Sequence, residues 1–158
     1  MIAELRRIHR RRISRLRDLS VEVHELSAGE SREALIRFAH AFVGVGGAEA
    51  FLAAIEAARR SHGEIEYGKW LWQGSPPPEL RPRFGWHSDW LPGRRCIRFD
   101  RRVSLSALRL SSYTIPDEWV LSWPGVYVSF ETGRAIVVSL DYEVTCFDLS
   151  APPRPPYR

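Results

Sequence analysis

The spacing of apolar residues changes partway along this chain, and that change constrains the fold more than any other feature. Up to Gly63 they recur at steps of three and four. After Arg95 they alternate with polar residues or run in short β-branched blocks. The first spacing lays an apolar stripe along a helix, and the second puts apolar side chains on one face of a strand. Helices followed by strands imply an α+β domain. The expected arrangement is about three N-terminal helices packed on one face of a C-terminal antiparallel β-meander of four to five strands.

The first helical stretch is IAELRRIHRRRISRLRDLSVEVHEL, with Ile2, Leu5, Ile8, Leu16, Leu19, Val23 and Leu26 in its stripe. Arg12 interrupts that stripe, so residues 1–17 are expected to be a basic, peripheral helix. A second helix is expected from Ser31, with Leu35, Phe38, Ala39 and Phe42 on one face, and the glycines of VGVGG end it. The third, AEAFLAAIEAARRSHG, turns Phe51, Leu52 and Ile55 inward and stops at Gly63. EIEYGKWLW alternates and reads as a strand. Strand character also runs through RCIRFDRRVSLSAL, EWVLSW, GVYVSF, RAIVVSL and EVTCFDLS, with a hairpin loop at residues 131–134. Residues 1–150 thus form one domain, and APPRPPYR at 151–158 is a proline-rich tail expected to be disordered.

Charge divides the chain into blocks. Residues 1–17 hold seven arginines against Glu4, and residues 81–109 hold eight arginines against Asp89 and Asp100. The other two blocks are net acidic, and the whole stands at +4. That is not the profile of a uniformly basic nucleic-acid binder. Arginine outnumbers lysine 22 to one, which points to a bacterial source with arginine as its default cation. No run of 18 apolar residues exists, so no membrane span is expected. The basic N-terminus lacks the apolar core of about 7–15 residues that a secretory signal carries. Cys96 and Cys146 are too few for a disulfide framework. Together these favour a cytoplasmic protein with free thiols.

No catalytic, metal or nucleotide motif is specific. His87, Ser88 and Asp89 are consecutive, and consecutive residues rarely converge as a nucleophile triad does. The five histidines show no metal-ligand spacing, and GVGG lacks the preceding strand of a dinucleotide site. No catalytic residue, metal or cofactor is expected. The strongest binding signal is the irregular stretch KWLWQGSPPPELRPRFGWHSDWLPGRR, with four of the six tryptophans. Trp and Arg are enriched where interfaces concentrate their energy. The expected partner-binding residues are therefore Arg81, Arg83, Trp86, His87, Asp89, Trp90, Arg94 and Arg95. An alternative surface is the acidic set Asp117, Glu118, Asp141 and Glu143. The function these features favour is a small non-catalytic protein-binding module, an immunity or antitoxin-type inhibitor of a partner toxin or enzyme. Second is a nucleic-acid-binding regulator using residues 1–17 and 81–109, and third a small hydrolase or transferase.

Overall fold

The computed structural model describes residues 2–43, 47–71, 91, 96–111, 120 and 122–148. Helix α1 (Ile2–Asp18) is followed by a short strand β1 (Val23–Glu25), helix α2 (Ala28–Phe38) with a π-helical turn at Ala39–Val43, and helix α3 (Ala48–Ser61). A 3₁₀ turn at Tyr67–Trp70 leads on to strands β2 (Cys96–Asp100), β3 (Leu108–Leu110), β4 (Gly125–Ser129), β5 (Arg134–Val138) and β6 (Val144–Asp148). All pairings are antiparallel, in the spatial order β1-β3-β2-β4-β5-β6. The α+β class holds, with six strands among the described residues rather than four or five.

The extra strand comes from the segment assigned to the first helix. Ser20 takes a left-handed conformation (φ 64°), and the amide of Val21 bonds back to the carbonyl of Leu16, which ends α1. The β-branched alternation of VEVHE then pairs with β3, Val23 opposite Leu110. Helix α2 begins at Ala28, three residues before the expected start at Ser31. Ser27 Oγ accepts from the amide of Glu30 (3.1 Å) and the amide of Ser27 donates to Glu30 Oε1 (3.0 Å), a reciprocal cap. Ser31 is instead buried, its hydroxyl accepting from the amide of Ala107 (3.1 Å). At the end of α3, His62 adopts the left-handed position (φ 54°) next to the expected stop at Gly63. EIEYGKWLW does not form the expected strand: Glu64 makes one bridge to Arg102, and Tyr67–Trp70 closes into a 3₁₀ turn.

The sheet is covered on both faces, not one. On the first, α2, its π-helical turn and α3 deliver Leu35, Phe38, Phe42, Phe51 and Ile55 onto Phe99, Val126, Val128, Val137 and Phe147. On the second, α1 delivers Ile13 and Leu16 onto Leu108, Leu110, Tyr127, Ile136 and Cys146. This explains why β4 reads GVYVS with all five residues buried: a strand between two layers has no solvent face. It also corrects the expectation of a peripheral N-terminal helix. Ile13 and Leu16 are 3% and 0% exposed, and each buried side chain of that size contributes about 1.5–3 kcal/mol. Arg12 breaks the stripe in sequence without lifting the helix, because it is only half-buried and its guanidinium lies over the Trp123 ring (5.2 Å).

Candidate functional site

Beneath α1 the sheet carries an unexpected charge. In β2, Cys96, Arg98 and Asp100 face α1 while Phe99 faces α2 and α3, as the register with Tyr127 and Gly125 requires. Arg98 is therefore buried (1% exposed). It donates to Asp100 Oδ2 (2.9 Å) and to the carbonyls of Trp123 (3.1 Å) and Pro124 (2.8 Å), and its guanidinium stacks 3.4 Å from the centre of the Trp123 ring. Trp123 Nε1 donates to the same carboxylate oxygen (3.1 Å), and the amide of Arg102 donates to Oδ1 (3.0 Å). Gly125 makes the approach possible. At φ 151° it has no side chain, and a Cβ there would sit 2.5 Å from the Phe99 carbonyl oxygen and 3.0 Å from the Arg98 guanidinium.

Burial pushes the Asp100 carboxyl up, but Arg98 and these hydrogen bonds outweigh it and hold the group below its ordinary value. His9 of α1 meets Trp123 edge-on (6.5 Å), and its Nε2 lies 3.1 Å from the Ser106 carbonyl. A carbonyl only accepts, so Nε2 carries the proton and Nδ1 is the bare nitrogen, buried with no hydrogen-bond partner among the described residues. Burial pushes the His9 imidazole below its usual value, so it stays neutral near pH 7. Both oxygens of Asp100 are engaged by donors, and Arg98 is closed off from solvent. The cluster ties β2, the Trp123 segment and, through Trp123 and His9, α1 together. Sequence reading missed it, since an arginine inside CIRFD looks like an outward residue. The one available signal was Arg98 and Asp100 two apart in a strand, with apolar neighbours on either side.

Of the expected partner-binding residues, Arg81, Arg83, Trp86, His87, Asp89, Trp90, Arg94 and Arg95 lie outside the described residues, as do Asp117 and Glu118. Asp141 and Glu143 are described, and both are exposed on the turn joining β5 to β6. Between them stands Tyr142, 58% exposed and held at φ 63°. Ser139 builds this turn. Its Oγ accepts from the amides of Asp141 (3.2 Å) and Glu143 (3.0 Å), its carbonyl accepts from Tyr142 (2.9 Å), and its amide donates to the Glu143 carbonyl (2.9 Å). The amide of Leu140 is held by Glu66 Oε2 (3.1 Å). Sequence reading picked out the two carboxylates and passed over the tyrosine. A left-handed tyrosine is not visible in residue type, because bulky residues avoid positive φ.

The remaining acidic residues of the sheet are dispersed. Asp148 pairs with Arg134 across β5 and β6 (3.4 Å). The arginines at positions 6, 7, 10, 11, 15 and 17 are exposed along α1, and of these only Arg7 has an acidic partner among the described residues, Glu4. Cys96 and Cys146 are buried thiols not joined in a disulfide, and burial pushes the Cys96 thiol up to about 12. Among the described residues, no three His, Cys, Asp or Glu are placed to hold a metal, and no helix is long and apolar enough to cross a membrane. No family model, curated protein or solved structure matches this chain.

Proposed function

We propose that this chain is a non-catalytic protein-binding module of the immunity or antitoxin type, which inhibits a partner enzyme by docking the Asp141-Tyr142-Glu143 turn on a basic surface of that partner. One observation carries the reading: an aromatic side chain is held exposed, in an unfavourable backbone conformation, between two exposed carboxylates. Strain of this kind persists only where surrounding structure enforces it, and here Ser139 and Glu66 do so. Tyrosine supplies a large, stiff contact with one polar end, and a turn already fixed by hydrogen bonds loses little entropy on binding. The carboxylates steer the turn toward positive charge and against other partners. The Trp- and Arg-rich stretch at residues 81–95 remains a second expected contact.

The test is co-purification of the natively expressed protein, followed by affinity measurements with the partner so identified. Tyr142→Ala is expected to weaken binding by about tenfold or more, equivalent to about 1.4 kcal/mol. Asp141→Asn with Glu143→Gln is expected mainly to slow association and to flatten its dependence on salt. Unchanged affinity in both variants would refute the role of this turn. The exposed arginines of α1 favour a second reading, a regulator that contacts nucleic-acid phosphates. That reading requires an affinity falling steeply with salt, and recovery of nucleic acid in place of a protein would select it.

A further inference from the structure

We propose that the cleft between α1 and the chain leading from β2 into β3 binds a small phosphate ester with free hydroxyl groups, a sugar phosphate being the simplest example. The cleft has a volume of about 220 Å³ and is walled by Arg6, His9 and Arg10 of α1, Glu25 of β1, and Ser104, Leu105 and Ser106. A water takes up about 30 Å³ of liquid, so the space holds about seven waters, the scale of one pentose phosphate.

Arg6 and Arg10 stand one helical turn apart on the same flank of α1. Both are exposed, and neither has an ion-pair partner among the described residues, whereas Arg7 on the same helix is paired with Glu4. Two like charges at this spacing repel in the free protein, and one dianionic group between them would relieve both. The opposite wall is hydroxylic. Ser106 Oγ donates to Glu25 Oε1 (2.8 Å) and lies 3.2 Å from His9 Nε2, which fixes both groups. Glu25 Oε2 has no hydrogen-bond donor among the described residues, leaving a carboxylate oxygen for a ligand hydroxyl.

Glu25 decides between ligands. A carboxylate in the cleft repels a bare polyanion but accepts from a sugar hydroxyl while the two guanidiniums take the phosphate. The cleft shares no residue with the turn at Tyr142, so the two proposals stand or fall separately.

Titration calorimetry of the full chain with ribose phosphate, inorganic phosphate, ribose and a single-stranded oligonucleotide tests this assignment. Ribose phosphate is expected to bind saturably, at least about tenfold more tightly than inorganic phosphate, and ribose not at all. Arg6→Gln with Arg10→Gln alters only exposed side chains and is expected to weaken the ester by about tenfold or more, with an unchanged circular dichroism spectrum. Glu25→Gln should weaken the ester and leave inorganic phosphate as tight or tighter. The proposal is overturned if the ester gives no saturable heat up to about 10 mM, or if the double variant binds it as the wild type does. Equal binding of ester and inorganic phosphate would overturn hydroxyl recognition. Binding of the oligonucleotide alone would assign the arginines to a polyanion lying along the helix.

Discussion

Replacing Asp100 by asparagine isolates the charge at the centre of the α1 face, because size and shape are kept. In the wild type Oδ2 faces two donors, Arg98 Nη1 at 2.9 Å and Trp123 Nε1 at 3.1 Å, while Oδ1 faces the amide of Arg102 at 3.0 Å. An asparagine must turn its NH₂ toward one of these sides. At the first it meets two donors, and at the second it meets one and loses that bond. A guanidinium 1% exposed would also stay charged without its counter-ion. Breaking a buried pair from one side costs about 3–5 kcal/mol. Arg98 keeps the carbonyls of Trp123 and Pro124 and its stacking on the indole, which points to the lower end. The expected loss is thus about 3 kcal/mol, a large fraction of the roughly 5–15 kcal/mol of a typical domain. Urea unfolding should show a lower midpoint at unchanged slope, and Tm should fall by on the order of 10 °C. The double variant Arg98→Met/Asp100→Leu removes both charges and should be less destabilised than Asp100→Asn alone. A cost below about 1 kcal/mol for Asp100→Asn, or a double variant worse than either single one, would show that the aromatic cage holds Arg98 without the carboxylate.

The same face sets three further outcomes. His9 and Asp100 both have folded-state pKa values below their ordinary ones, so the unfolded chain binds more protons and stability is lost as pH falls. The decline should start below the ordinary imidazole value of 6.5 and steepen below the ordinary aspartate value of 3.8; urea midpoints followed downward from neutral pH should show it, with His9→Gln removing only the first part. Leu16→Ala should cost about 2–5 kcal/mol, while Arg11→Gln on the exposed side stays within about 0.5 kcal/mol. Removing residues 1–17 should leave an unfolded or insoluble chain, and a soluble, cooperatively unfolding remnant would show that α1 is dispensable.

The class of this fold was legible in the sequence because it rests on local periodicity. The three helices and the β4–β5 hairpin follow from spacings of three, four and two, and from glycine and proline between them. The boundaries of α1 and α2 were less legible. VEVHE satisfies both periods, and its pairing with Leu108–Leu110, some 85 residues on, decided for the strand. The second layer could not be read, since a stripe broken by Arg12 looks too weak to pack. Only the assembled sheet supplies the Trp123 ring that accepts Arg12. Of the surface residues marked in advance, Asp141 and Glu143 were legible as charges. What gives them a potential role, the left-handed Tyr142 between them, depends on four hydrogen bonds to Ser139. Arg98 is the sharpest case. Residue type alone assigns an arginine to solvent, because burying its charge is costly. The structure buries it because β2, β4 and the Trp123 segment bring one carboxylate, two carbonyls and an indole face to a single point, and no local pattern encodes that convergence.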